Sequence, residues 1–296
     1  MLTLDPHSHA SPSADGGIPM EERLLVTAAT GTDVHFGTDH DHVADYNPAL
    51  QAMGLSGRLK SVVADEVSPV PRGHFNAYPA RQDGRVNGGA PRWWWGVEST
   101  SALFDWIREF VGDDGIIQAN HPTGASGMFE LADYSPASGV VGNGNKWSDD
   151  FDAMELINSG TYDEYFPYYL DLVSRGQLVT PVGVTDSHTH RGGDPGLHFT
   201  WLYTGGTLAQ FDDDVLKSAQ AEGYAEADPG LDIDGFDTAH KAVVLASLAY
   251  GFPVPMKAVS VEGIRGLAKA DIDYARGLGY RLKLLAVLKN GPGGIA

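Results

Sequence analysis

Leu2-Thr3-Leu4-Asp5-Pro6-His7-Ser8-His9 opens the chain, and how it is read decides the fold. Leu2-Thr3-Leu4 has the alternation of a short strand, and the two imidazoles follow on the loop that such a strand feeds. The same arrangement recurs along the chain. Val34 to Gly37 leads into Thr38-Asp39-His40-Asp41, and Leu59 to Asp65 leads into Glu66. His74 to Tyr78 is a further strand, Ile116 to Ala119 precedes Asn120-His121-Pro122, and Val179 to Val184 precedes Thr185-Asp186-Ser187-His188. Ala153 to Ile157 is another strand. Helices are predicted from Pro19 to Ala29, with Glu21 and Glu22 favourable in the first turn, and from Tyr165 to Ser174. A third runs from Ser99 to Val111, with Leu103, Trp106, Ile107 and Phe110 at amphipathic spacing. Strand, ligand, helix is the rhythm of a β/α barrel, whose chemistry collects at the carboxyl ends of its strands.

The candidate metal ligands are therefore His7, His9, Asp15, His40, Glu66, His74, His121, Asp186 and His188. Imidazole and carboxylate together suit zinc, manganese or iron, and the absence of cysteine argues against a thiolate site. Asp15 carries a second reading, since an aspartate in Asp15-Gly16-Gly17 ahead of Pro19 also suits a helix cap. His35, His42, His190, His198 and His240 lack the preceding strand pattern and are read as non-ligands. The set as a whole points to a metal-dependent hydrolase of a small-molecule substrate.

A net charge of −19 repels nucleic acid and anionic membrane surfaces, so neither is expected as a partner. No apolar run is long enough to span a bilayer, and no basic region followed by an apolar stretch opens the chain. The expectation is a soluble, cytoplasmic protein. Arg92-Trp93-Trp94-Trp95 follows a Gly/Asn-rich stretch and is read either as an aromatic wall for an apolar substrate or as packing for a long loop. Arg72 is read as a contact for an anionic leaving group or as a solvated side chain.

The Asp-x-His-x-His start, Thr38-Asp39-His40, Asn120-His121-Pro122 and Asp186-Ser187-His188 occur in the order of the PHP (polymerase and histidinol phosphatase) superfamily, which residues 1–205 resemble. Gly73-His74-Phe75-Asn76-Ala77-Tyr78-Pro79 and Phe151-Asp152-Ala153-Met154-Glu155 are similar to its carbaryl hydrolase branch. The resemblance implies a distorted seven-stranded, TIM-like β/α barrel holding two or three divalent metal ions. It places His7, His9, Glu66 and Asp186 on one metal, Glu66 with His74 and His121 on a second, and Asp15, His40 and His188 on a third. It implies a metal-bridging hydroxide attacking an ester, amide, carbamate or phosphoester bond, with Glu66, Asp186 and His188 as catalytic residues.

From about Phe211 the text changes. Ala219 through Lys241, then Val261-Glu262-Gly263-Ile264 and Asp271-Ile272-Asp273-Tyr274-Ala275, resemble homoserine dehydrogenase. The resemblance implies that Glu226 and Asp232 hold an amino-acid substrate and that Asp237 and Lys241 serve substrate binding and proton transfer. Asp237 and Lys241, four apart on a predicted helix, also read as an ordinary ion pair. Hydride transfer needs a Gly-x-Gly-x-x-Gly turn, and Gly142-Asn143-Gly144 has Trp147 where its third glycine belongs. Dehydrogenase turnover is therefore not expected; the alternatives are a dehydrogenase relic or a packing element that forms a homodimer. Residues 1–207 are expected to be the barrel and 208–296 a small α/β homoserine dehydrogenase-like fragment. The helix predicted from Asp213 to Glu222 presents Val215, Leu216 and Ala219 as a stripe that needs a partner.

Overall fold

Every residue of β1 (Leu2–Ser8) is buried, as a strand covered on both faces requires. Parallel to it runs β2 (Val34–Gly37), and β2 pairs in turn with β3 (Lys60–Val63). The structure is a computed structural model describing residues 2–85, 88–90, 96–158, 162–190, 196, 198–202, 204, 206–221 and isolated positions between 239 and 295. Arg92 to Trp95, and Glu226, Asp232, Asp237 and Lys241, lie outside the described residues.

A second sheet is built from β4 (Asp65–Val67), β5 (Phe75–Tyr78), β6 (Ile116–Ala119), β9 (Ala153–Asn158) and β10 (Thr180–Val184). Between β6 and β9 lies a small pair, β7 (Tyr134–Ser135) with β8 (Val140–Val141). The first sheet ends on β11 (Thr200–Leu202), antiparallel to β1, so the orders are β11-β1-β2-β3 and β10-β9-β6-β5-β4.

The expected barrel is corrected here. Among the described residues the fold is mixed α/β with several small sheets and no closed ring. Among the described residues the two larger sheets are joined in strand pairing by isolated bridges, Ser8 with Ser187 and His40 with Glu66, and they pack on a shared core that includes Leu4, Phe36, Ile116 and Val182. A closed β/α barrel needs strands of one direction with a consistent stagger. Here β5 runs antiparallel to both β4 and β6; toward β4 this follows because residues 68–74 are too few for the crossover helix that a parallel pair requires. Register shifts between Asp5 and Ser8 and between Val182 and Gly183 further break the ladders. Strand and helix rhythm alone does not encode strand direction, and that is where the sequence reading went astray.

The four predicted helices form, the one expected from Tyr165 starting at Tyr162, and two further short helices join them. Helix α1 (Met20–Ala29) buries Arg23, Leu24 and Thr27, and Leu24 packs with Ile18, Tyr46, Leu59 and Leu50, the last from α2 (Asn47–Ala52). Helix α3 (Thr100–Val111) starts at Ser99, whose hydroxyl accepts the Ala102 amide at 3.1 Å. It turns Leu103, Phe104, Ile107 and Val111 inward, and Phe104 meets Phe75 edge-to-face at 4.7 Å. The short α4 (Met128–Leu131) adds Met128 and Phe129 to the same core, and α5 (Tyr162–Ser174) adds Tyr165 and Leu172. The stripe on α6 (Asp213–Ala221) finds its partner: Leu216 and the preceding Phe211 are buried with Leu2, Leu4, Phe36 and Val182.

The chain divides into two compact units, Met1–Gly223 and Tyr224–Ala296. In the second, β12 (Asn290–Gly291) pairs antiparallel with β13 (Gly294–Ile295). No helix among the described residues is long and apolar enough to cross a membrane.

His35 tests the packing of β2. Its Nδ1 meets the Ser61 hydroxyl at 2.9 Å, its Nε2 is buried without a partner, and burial pushes its pKa down to about 3. The folded protein thus holds His35 neutral where the unfolded chain, with an ordinary histidine pKa, takes up a proton. Its contribution is complete above about pH 6.5 and is lost as pH falls toward about 3, at no more than ~1.4 kcal/mol per pH unit. In His35→Phe, stability measured by urea unfolding is expected to fall less steeply from pH 7 to 5 than in the parent. Parallel profiles would show that His35 does not stay neutral on folding.

Candidate metal centre

The ends of six strands bring the candidate ligands to one place. His7 sits in β1 and His9 just beyond it; His40 follows β2 and Glu66 lies within β4. His121 follows β6, and Asp186 and His188 follow β10. His74 precedes its strand, but β5 is reversed relative to β4 and β6, so its amino end lies beside their carboxyl ends. The antiparallel pairing that rules out a uniform barrel is therefore what delivers His74. Three ligand loops carry non-glycine residues at left-handed φ, Asp41 at 48°, His121 at 22° and Asp186 at 48°, a strained geometry that persists where the surroundings enforce it.

All nine predicted ligands come together. Glu66 is the hub: its Oε2 lies 3.4 Å from His7 Nε2, 3.3 Å from His9 Nε2 and 2.9 Å from His40 Nδ1. Its Oε1 faces His74 Nδ1 at 3.2 Å and His121 Nε2 at 3.4 Å. Asp186 Oδ1 lies 3.3 Å from His7 Nε2 and 3.2 Å from His9 Nε2. Asp15 Oδ2 stands 3.3 Å from His188 Nε2 and 3.4 Å from His40 Nε2. Asp15 is thus turned to the imidazoles; Pro19 occupies the cap of α1 and no side chain caps that helix. Three subsets have ligand atoms mutually within 4.8 Å: His7, His9 and Glu66; His40, Glu66 and His74; and His9, His40 and His188.

With unprotonated nitrogens facing the carboxylates, these contacts set acceptor against acceptor. The His188 Nδ1 lies 2.9 Å from the Asp186 carbonyl, which only accepts, so Nδ1 carries a proton and Nε2 faces Asp15. His7 Nδ1 is held at 2.5 Å by the Glu155 carboxylate. The His7 and His9 Nε2 atoms stand 3.0 Å apart beside two carboxylates. Glu66 Oε2 is buried and, although three imidazole nitrogens surround it, none makes a hydrogen bond to it. Such a set is satisfied by positive charge at its centre, from protons or from a cation.

The titration behaviour says the same. Burial pushes Glu66 up, yet the His7 charge and the His121 and His40 imidazoles hold it well below the usual carboxylate range. Burial pulls His7 down, but Asp186, Glu66 and Glu155 outweigh it and raise His7 well above an ordinary histidine. His40 is raised to about 8, with Glu66 and Asp15 overcoming its burial, whereas burial lowers His9 to about 4.

Several residues of the site escaped the sequence reading. Asn120 Nδ2 donates to Glu66 Oε1 at 2.9 Å and to Asn76 Oδ1 at 2.8 Å, and Asn158 Nδ2 donates to Glu155 Oε2 at 3.0 Å. Ser13 Oγ meets His9 Nδ1 at 2.9 Å and accepts the His40 amide at 2.8 Å. Arg23, wholly buried in α1, donates to the His9 carbonyl at 2.8 Å, the Ser187 hydroxyl at 3.0 Å, the Ser187 carbonyl at 2.7 Å and the Thr189 carbonyl at 3.2 Å. The signal that was available is an arginine on the buried face of an otherwise amphipathic helix, beside Leu24 and Thr27. Arg72 is half-buried, and its guanidinium donates to the Asn145 and Val97 carbonyls. Of the histidines read as non-ligands, His190 pairs with Glu22, and His35 packs on Tyr46.

Comparison with known proteins speaks to a different stretch. Residues 203–293 match the homoserine dehydrogenase family. Over 81 residues the chain is 51% identical to a homoserine dehydrogenase of Pseudomonas aeruginosa, covering 27% of this chain and 19% of that protein. It is 52% identical over 82 residues to one from Neisseria gonorrhoeae (28% and 19% covered) and 46% over 79 residues to one from Helicobacter pylori (27% and 19%). The chain spans about a fifth of the length of the curated relatives it matches. Among solved structures it resembles PsfC from Pseudomonas syringae PB-5123, with TM-score 0.47 and 13% identity over 73% of this chain and 88% of that one.

These matches correct the sequence reading. The relatives are named for an oxidoreductase, which overturns the assignment as a PHP-type metallohydrolase and the expectation that dehydrogenase chemistry is excluded. Hydrolase, PHP domain and zinc enzyme are withdrawn as descriptions of the chain, and the resemblance of residues 1–205 to PHP proteins gains no support from them. The last segment is homoserine dehydrogenase-like.

Arg23→Met keeps the bulk of the side chain and removes four hydrogen bonds, to three carbonyls and a hydroxyl. Unfolding in urea is expected to show a loss of about 3 kcal/mol, the penalty for stranded buried acceptors. A variant as stable as the parent would show that Arg23 does not tie the two ligand loops together.

Proposed function

We propose that the unit Met1–Gly223 binds two or three divalent metal ions of the zinc, manganese or iron class through His7, His9, Asp15, His40, Glu66, His74, His121, Asp186 and His188. One observation carries the reading: the buried Glu66 Oε2, ringed by three imidazole nitrogens and left without a hydrogen bond. The donor chemistry supports it, since neutral imidazoles and carboxylates are the set these cations take. One cation would be held by His7, His9, Glu66 and Asp186, a second by Glu66, His74 and His121, and a third by Asp15, His40 and His188. A bound divalent cation supplies Lewis acidity there. Asp186 and His188 keep side-chain exposures of 23% and 28%, so they border the side from which a small molecule would enter.

The full chain, stripped with a chelator and titrated with zinc or manganese, is expected to bind two or three equivalents. It should gain about 2.7 kcal/mol of stability at a free metal concentration 100-fold above Kd. Because the ligands must be deprotonated, binding should weaken as pH falls below the raised His40 value of about 8. Less than one equivalent, with no change in melting temperature, would end the proposal.

The match of residues 203–293 favours a second reading, that the chain is a dehydrogenase-related protein. In it, Glu226 and Asp232 hold homoserine or a similar small amino acid, Asp237 and Lys241 assist binding and proton transfer, and the segment joins two copies into a homodimer. Calorimetry is expected to detect homoserine binding that Lys241→Ala weakens at least tenfold, and sedimentation to give about twice 31.6 kDa. A chain that neither binds homoserine nor oxidises it with a nicotinamide cofactor would exclude this reading.

A further inference from the structure

Glu155 is fully buried in the middle of β9, flanked in sequence by the apolar Met154 and Leu156. Four donors converge on its two oxygens. His7 Nδ1 lies 2.5 Å and Gln118 Nε2 3.3 Å from Oε1; the His121 amide lies 2.7 Å and Asn158 Nδ2 3.0 Å from Oε2. Asn158 Nδ2 also reaches Asp186 Oδ2 at 3.3 Å, and Gln118 Nε2 reaches Asn120 Oδ1 at 3.1 Å. From Asn120 the chain continues to Glu66 Oε1 at 2.9 Å. One carboxylate thus touches His7 and the backbone of His121 directly, and Asp186 and Glu66 through one and two amides.

We propose that Glu155 is the positioning residue of the metal centre: it holds the proton of His7 on Nδ1, so that Nε2 turns a lone pair to the cation. Through Asn158 and the His121 amide it sets Asp186 and His121 around the same point. This rests on the metal-binding reading above. A carboxylate only accepts, so the short contact to Nδ1 requires the proton there and leaves Nε2 to meet Glu66, Asp186 and His9.

The isosteric Glu155→Gln cannot reproduce this in either orientation. With its NH2 toward His7 it donates to Nδ1 and moves the imidazole proton to Nε2, where it blocks ligation. With the NH2 turned the other way it faces the His121 amide and the Asn158 NH2, donor against donor. The consequence is specific to the His7 subset, because His188 takes its tautomer from the Asp186 carbonyl and not from Glu155.

The experiment titrates chelator-stripped full chain with zinc ions by calorimetry, for parent, Glu155→Gln and Glu155→Asp. Long-range proton–nitrogen NMR reads the His7 tautomer alongside. Glu155→Gln should weaken the tightest zinc site 10- to 100-fold, with circular dichroism unchanged, and Glu155→Asp, which keeps the carboxylate, should recover part of it. In the zinc-loaded parent His7 should carry its proton on Nδ1. That measurement still decides the matter if Glu155→Gln does not fold: a proton on Nε2 of the loaded parent overturns the proposal. So does a folded Glu155→Gln that binds zinc as tightly as the parent. A parent that binds no zinc overturns the metal reading and this proposal together, an outcome distinct from the other two.

Discussion

A carboxylate taken out of water must be matched by positive charge, and Glu66 imposes that condition on the whole first unit. It is buried, it is held ionised, and imidazoles from four other strand ends surround it. An ionised group without such partners would cost several kcal/mol or would take up a proton instead. The raised pKa values of His7 and His40 are one answer to the condition, since protons there neutralise the cluster. A divalent cation is the other, and the two compete for the same lone pairs.

The scaffold around the cluster follows from the need to hold like groups together. Left to themselves, acceptors that face each other move apart. Here they are pinned from behind: Glu155 and Ser13 hold the far nitrogens of His7 and His9, Asn120 fixes Glu66, and Arg23 clamps the carbonyls of the loops after β1 and β10. Because the ligands come from both sheets, and the bridges Ser8 with Ser187 and His40 with Glu66 join the sheets at these residues, the cluster lies at the seam between them. A cation held there would bond the two sheets directly, coupling binding to stability.

Family likeness and site geometry lie on different parts of this chain. The homoserine dehydrogenase match covers residues 203–293, whereas the ligand cluster runs from His7 to His188. The match begins ahead of α6, whose preceding Phe211 and own Leu216 pack into the core of the first unit. The beginning of the matched stretch therefore contributes to a core of the first unit, while its later part falls in the second unit.

The sequence by itself determined which residues gather at the site. Apart from Asp15, each imidazole or carboxylate stands close to, or within, a short apolar run, and burying that run on a sheet leaves its polar neighbour at the sheet's edge. The helix limits were legible for a similar reason: Pro19, Ser99 and Gly112 are local signals that act within a turn. What only the tertiary structure decided was direction and company. The reversal of β5, the opening of the barrel into separate sheets and the clamping by Arg23, Ser13 and Glu155 depend on pairings between residues far apart in the chain. No local pattern encodes them, because a strand's side-chain alternation is the same whichever way it runs, and a buried polar side chain is explained only by the partner it finds.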